Sequence, residues 1–223
     1  MKNTVKFLLI PAVLACAAAA QAQTAGSWMV RGGATTITPN VSSGDLTAPS
    51  LAGTKSSVGN STRVSGGITY MLDNNISIDL PLAVPFQHDI YGDGAIAGVG
   101  KIAHVKALPA TLLAQWRFME PTSTFRPYVG VGITYAAFFG ARSTSTLTAI
   151  SGGTPSNPTT LSIDSKWAAT AQLGAAFAID KNWFVDASYT YTPLSTRNTL
   201  STGQTLDIKL DPSSFSLAIG YKF

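Results

Sequence analysis

The chain has 223 residues, 45% of them hydrophobic and only 12% charged, and it carries a formal charge of +4. Globular domains average about 25% charged residues, and after residue 22 no apolar run reaches the ~20 residues that a membrane helix requires. The apolar excess therefore belongs to a large buried β core or to the outside of a β-barrel in lipid, and a charge that falls to +2 without Lys2 and Lys6 is too small to imply a nucleic-acid partner.

Residues 1–22 read as a secretory signal peptide. Lys2 and Lys6 supply a positive start, Phe7 to Ala20 the apolar stretch, and Ala20-Gln21-Ala22 a small-x-small cleavage site. The mature chain is expected to begin at Gln23. Val13-Leu14-Ala15-Cys16 is a rival lipoprotein-like site, but Leu14 fits it poorly; without lipidation of Cys16 the mature chain has no cysteine and no disulfide.

Eight segments then alternate with a period of two, the signature of strands with one apolar face. Trp28 to Thr38 is the first, weakly patterned. Val64, Ile68, Tyr70 and Leu72 mark the second, and Ile76, Ile78, Leu80, Leu82 and Val84 the third. Leu108, Ala110, Leu112, Ala114, Trp116 and Phe118 form the fourth; Val129, Val131, Ile133 and Tyr135 form the fifth. Lys166 to Ile179 is a weaker sixth, Trp183 to Tyr191 the seventh, and Phe215, Leu217, Ile219, Tyr221 and Phe223 end the chain.

The connections alternate in length. Asp73-Asn74-Asn75, Glu120 to Thr124 and Asp180-Lys181-Asn182 are short and turn-rich. Pro39 to Ser61, Phe86 to His104, Gly140 to Ser165 and Ser195 to Thr205 are long and polar. This plan predicts an all-β chain over 23–223: an eight-stranded antiparallel transmembrane β-barrel with short periplasmic turns and long extracellular loops, in the outer membrane of a Gram-negative bacterium. Aromatic residues near both strand ends suit the two interfacial girdles of such a barrel. A terminal aromatic on an alternating strand is an assembly signal, here Tyr221 and Phe223, read by the barrel-assembly machinery.

If the apolar face meets lipid and lipopolysaccharide, the other face lines the lumen. Arg31, Arg63, Asp79, Arg117, Asp186 and Lys222, with Gln115 and Gln172, are expected to form a charged plug toward the periplasm, because buried charges must pair. Toward the loops the inward residues become small or apolar, among them Pro81, Ala83, Leu113 and Gly130. Eight strands leave room for side chains or one slim ligand rather than a wide channel, so a general porin is not expected. A pocket for a hydrophobic molecule and a simply filled barrel remain open alternatives at this point.

Four stretches resemble the OmpW family of small outer-membrane barrels, which includes alkane-uptake proteins. They are Leu108-Pro109-Ala110-Thr111-Leu112-Leu113-Ala114-Gln115-Trp116; Phe125-Arg126-Pro127-Tyr128-Val129-Gly130-Val131-Gly132 with Tyr135 and Phe138-Phe139; Pro85-Phe86 followed by His88; and Gly220-Tyr221-Lys222-Phe223. The resemblance implies passage of small hydrophobic molecules across the outer membrane, with sideways release through the barrel wall into the bilayer. It also implies a constriction at an apolar residue of the third strand and a Trp opening the sixth, here Pro81 and Trp167. Pro81 replaces the usual Leu and suggests a bulge or edge. Trp167 reaches the lumen only if a bulge near Ser165 resets the alternation. On this reading Pro81, Leu82, Leu113 and Trp167 shape the pocket and its gate.

Other functions are weighed against this one. The only histidines are His88 and His104; His88-Asp89 has the order of a base and its orienter, but no strand-borne Ser is tied to it. No enzyme activity, cofactor or metal is expected. A surface barrel that acts as adhesin or receptor through its loops, with phage, bacteriocin or host partners, is the alternative, and Gly140 to Ser165 suits a flexible segment for it. A soluble lipocalin-like barrel would turn its apolar face inward.

Overall fold

The computed structural model describes residues 23–223; the expected signal segment and Cys16 lie outside the described residues. The elements in chain order are β1 (Trp28–Thr38), β2 (Ser42–Ser43), β3 (Thr54–Val58), β4 (Ser61–Met71), β5 (Ile76–Ala83), β6 (Phe86–Gly94), β7 (Lys101–Arg117), β8 (Phe125–Ser143), α1 (Ser145–Ile150), β9 (Leu161–Ile163), β10 (Lys166–Ala178), β11 (Trp183–Tyr191), β12 (Ser195–Leu200), β13 (Thr205–Lys209) and β14 (Ser213–Lys222).

Eight of these strands close a ring in the order β1-β4-β5-β7-β8-β10-β11-β14, and β14 returns to β1, from Met29↔Lys222 to Thr38↔Ser213. Every neighbouring pair is antiparallel. Closure removes the unpaired edges that lipid would not tolerate. The short turns are held locally. The Asp73 carboxylate accepts the N–H groups of Asn75 and Ile76 at 2.6 and 2.7 Å, and Asp180 accepts those of Asn182 and Trp183, both at 2.8 Å.

The polarity is that of a membrane barrel, inverted relative to a soluble fold. Val64, Val131, Leu173, Leu217 and Ile219 are all more than half exposed on the outer face, while the inner face buries Thr69, Asp79, Gln115, Arg117 and Asp186. Trp28 packs on Tyr70, and Tyr221 stands between Trp183 and Phe223 at centroid distances of 5.1 and 5.0 Å. With Trp116, Phe118 and Phe125 they form the lower girdle, and the chain's last N–H, on Phe223, donates to the Trp28 carbonyl.

The loop end departs from the expectation of long polar connections. β7 and β8 are 17 and 19 residues long, roughly 55–65 Å at ~3.4 Å per residue, well beyond the ~25 Å apolar band of such barrels. Their upper halves pair with each other, that of β7 pairs also with β6, which continues the line of β5, and β3 adds to β6. A second sheet, β2-β13-β12-β9, faces this extension. Between them lies an apolar core of Ile90, Ile102, Ala103, Val105, Leu147 and Leu200. The segment from Gly140 to Ser165, expected to be flexible, contributes the end of β8, α1 and β9; Thr144 caps α1 by accepting the Leu147 N–H, and Leu147 inserts into that core. Apolar residues contributed by four segments supply the buried surface that orders them as one extracellular cap.

Candidate functional site

The plug is built at inward positions near the short turns, where the period of two delivers one side chain per two residues. Arg31 reaches across from β1 and donates both terminal nitrogens to Asp79, at 2.7 and 2.8 Å. Thr69 donates its hydroxyl to the same carboxylate. Asp186 stands 3.8 Å from Arg31 Nε and accepts the Tyr128 hydroxyl at 3.0 Å. Arg117 lies over the Tyr128 ring, 4.6 Å from its centroid, and donates to Ser77 and Gln115; Gln115 in turn donates to Gln172 at 2.7 Å. Gly174 makes room for this arrangement, since a Cβ there would come within 2.3 Å of the Tyr128 ring. Fully hydrogen-bonded, the network tolerates burial that isolated charges would not.

Four of the six expected charges, Arg31, Asp79, Arg117 and Asp186, thus meet in one network, and Lys222 is buried at its lower rim. Arg63 does not join them. Its register partner is Thr35, four residues above Arg31, roughly 13 Å along the strand, and it is exposed. Its inward parity is that of a plug residue, but its height places it near the extracellular end. Sequence reasoning missed Arg126 and Gln23. Arg126 seals the bottom by donating to both the carbonyl and the side-chain oxygen of Gln23 and to the Asn74 carbonyl. Its parity with Tyr128 and Gly130 was the available signal.

Above the plug the inward charges give way to hydroxyls. Thr111, Thr134, Thr170 and Thr192 form a belt whose hydroxyls bond one another at 2.6–2.9 Å, and Thr35 bonds Ser65 and Ser216. A cavity of about 120 Å³ sits here, with Arg31 on its floor and Leu113 on its wall. It shares Ile37, Pro109, Ala136, Leu194 and Pro212 with a middle cavity of about 80 Å³. The middle cavity shares Ile90 and Asn198 with an outer cavity of about 290 Å³ inside the cap. The three form a largely apolar line from the cap to the plug.

The wall beside the lower cavity is split. The β5–β7 ladder ends at Asp79↔Leu113, and pairing resumes only at Phe86↔Ala107. Residues 80–85 face residues 108–112 across a break of roughly 15–20 Å at ~3.3 Å per residue. The cause is local. In an antiparallel strand, alternate residues direct their N–H and C=O to opposite neighbours. The Asn75 carbonyl accepts from Arg117 on the β7 side, and the Ile76 carbonyl accepts from Leu72 on the β4 side. Odd-numbered residues of β5 therefore face β7, so Pro81 lacks its donor on that edge. On β7, Arg117 bonds toward β5 and Phe118 toward β8, so Pro109 lacks its donor on the opposing edge. Pro81, Ala83 and Pro109 all border the lower cavity.

One of the expected gate residues, Trp167, stands elsewhere. The β8–β10 register runs unbroken from Lys166↔Ala136 to Phe177↔Phe125, with no bulge near Ser165. Trp167 accordingly faces outward, 69% exposed, and packs on Tyr135 at 4.9 Å in the upper girdle. Leu82 also belongs to the outer face and touches the lower cavity at the lip of the split. Consecutive strand residues point to opposite faces, so His88 and Asp89 diverge: His88 is buried with Nδ1 at 2.8 Å from the Gly59 carbonyl, and Asp89 pairs with Lys101 at 2.6 Å. The base-and-orienter pair is not assembled.

Comparison with known proteins agrees with this architecture. The model of the OmpW family matches residues 24–223. Outer membrane protein W of Vibrio cholerae is 34% identical over the full length of both chains. Among solved structures, outer membrane protein OprG of Pseudomonas aeruginosa superposes with a TM-score of 0.80 at 28% identity, covering 91% of this chain and 99% of that one. Outer membrane protein AlkL in lipid bilayers superposes with a TM-score of 0.70 at 26% identity, covering 93% and 95%. The chain is a closed, eight-stranded barrel of the Gram-negative outer membrane and belongs to the OmpW family.

Proposed function

We propose that this barrel is a conduit for small hydrophobic molecules, which pass from the cap cavities into the lumen and leave sideways through the β5–β7 split into the bilayer. The observation that carries the reading is the ending of an apolar line of cavities between two unequal exits: a sealed, charged plug below, and a wall without ladder hydrogen bonds at the side. An apolar solute gains nothing by displacing the plug's ion pairs, and it gains its transfer free energy on entering acyl chains, ~25 cal/mol per Å² of apolar surface. Lipopolysaccharide impedes such solutes at the outer leaflet, so a protein path past that layer accelerates them.

The test is uptake of an apolar fluorescent solute by cells whose outer membrane carries this barrel, an empty control, or the variant Pro81→Val/Pro109→Thr. The variant restores both missing donors and lets the ladder continue. The expected result is a gain over the control with the native chain and a several-fold smaller gain with the variant. Equal gains would refute lateral exit. No gain with the native chain would refute the conduit and favour a surface barrel acting through its cap.

A further inference from the structure

The cations of the cap are not evenly matched by carboxylates. Lys55, Lys101, Lys166, Arg197 and Lys209 each stand 2.6–3.9 Å from an aspartate. Lys106 and Arg142 are exposed, and among the described residues neither makes an ion pair or a hydrogen bond. They share one surface because β8 is bulged. His104 pairs with Arg142 and Lys106 with Phe139, so three steps on β8 answer two on β7, and Gly140 takes up the extra residue at φ 61°. Phe138 and Ala141 pack against the cap core, which leaves Phe139 and Arg142 on the outer face. Ala103 and Val105 of β7 lie in the same core, so His104 and Lys106 point outward with them. The Lys106 stem runs along Gly140, where a Cβ would meet its Cδ at 3.8 Å. Asp89 of β6, opposite His104, is held by Lys101 at 2.6 Å, so two positive charges stay unmatched.

The height of this surface selects its partner. From Phe125 in the lower girdle to Tyr135 in the upper one, β8 runs ten residues. That is about 34 Å along the strand and about 26 Å along the barrel axis at a tilt of ~40°, the thickness of the apolar band. Ala110 pairs with Tyr135; Lys106 lies four residues above that level and His104, opposite Arg142, six. The cations therefore stand about 10 and about 16 Å above the hydrocarbon. Phospholipid head groups reach only about 5–8 Å beyond it. Lipopolysaccharide stacks phosphorylated and acidic sugars on its acyl chains and so carries anions at this height. We propose that Lys106 and Arg142, with His104 and Phe139 beside them, form a binding site for lipopolysaccharide on the β7–β8 wall. The planar guanidinium of Arg142 takes a sugar phosphate through two parallel N–H bonds, the Lys106 ammonium adds a point charge, and Phe139 offers an apolar face between the sugars and the acyl chains. The opposite side of the cap, where Lys166, Arg197 and Lys209 are matched by aspartates, offers no such charge.

The probe is rough lipopolysaccharide that keeps its lipid A and inner-core phosphates. It is exchanged into detergent micelles that hold the barrel, and retained molecules are counted by native mass spectrometry. The same lipopolysaccharide stripped of phosphate, and phosphatidylglycerol, are the comparisons. A cation close to an anionic lipid surface contributes about fivefold in affinity, so Lys106→Gln/Arg142→Gln should weaken retention of the intact probe roughly 25-fold. Lys166→Gln/Arg197→Gln, which removes two matched cations, should change it by less than about twofold. The stripped probe should bind the native barrel and the Lys106→Gln/Arg142→Gln variant alike. Native-like electrophoretic mobility checks the fold of each variant, and should the double variant not fold, Lys106→Gln and Arg142→Gln carry the test singly at about fivefold each. The proposal is overturned if retention survives Lys106→Gln/Arg142→Gln, or if Lys166→Gln/Arg197→Gln reduces it as much. An equal loss of phosphatidylglycerol also overturns it, since the surface would then attract any anionic lipid.

Discussion

Replacing Asp79 by alanine isolates what the plug contributes. Arg31 and Asp79 have side chains 8% and 0% exposed, joined by two hydrogen bonds of 2.7 and 2.8 Å. Removal of one member of such a pair leaves the other buried and uncompensated, at about 3–5 kcal/mol. Thr69 also loses its acceptor. Asp186, 3.8 Å from Arg31 Nε, offers partial compensation, so we expect about 3 kcal/mol, the lower end of that range. The paired variant Arg31→Leu/Asp79→Leu removes both charges together and should recover at least half of the loss, because apolar replacement of a whole buried pair is often neutral. Urea titration in lipid vesicles, followed by tryptophan emission and by electrophoretic mobility, measures both. A loss below about 1 kcal/mol for Asp79→Ala, or a double variant no better than the single one, would refute the view that charge pairing holds the plug.

The remaining predictions are narrower. Trp167→Ala should leave apolar-solute uptake unchanged and cost about 1 kcal/mol through loss of the Tyr135 contact, because the ring faces outward; a large fall in uptake would return it to the lumen. Gly174→Ala should cost about 1–3 kcal/mol in the same titration, because the added Cβ forces the Tyr128 ring away from Asp186. In the periplasmic turns, backbone N–H groups of Asn75 and then Ile76 hold the Asp73 carboxyl below its usual value, and those of Trp183 and then Asn182 do the same for Asp180. A folded value below the unfolded one gives stability that is present above the unfolded value and is lost as pH falls through the folded one. The native barrel should therefore lose more stability between about pH 5 and about pH 3 than Asp73→Ala/Asp180→Ala does; equal losses would refute it.

Much of the barrel was written locally. A period of two is a property of one strand, so Phe215 to Phe223 and Ile76 to Val84 declared their lipid faces without reference to any neighbour, and Arg31, Asp79, Arg117 and Asp186 declared their inward parity. Height in the barrel and identity of partner are not local. They depend on register between strands, which placed Arg63 opposite Thr35 rather than in the plug and kept Trp167 outside by running β8 against β10 without a bulge. The cap was hidden for a related reason: Leu46, Ile90, Leu147 and Leu200 lie in four segments far apart in sequence, none with a period that marks a core face, and only their convergence makes a core.

Pro81 shows the division most clearly. The sequence by itself determined that residue 81 donates no hydrogen bond and that its strand is weakened there. Only the tertiary structure decided which neighbour is deprived, and that Pro109 is deprived on the facing edge. The missing N–H is a covalent property of one residue, whereas a split wall requires two edges aligned by the closure of the whole ring.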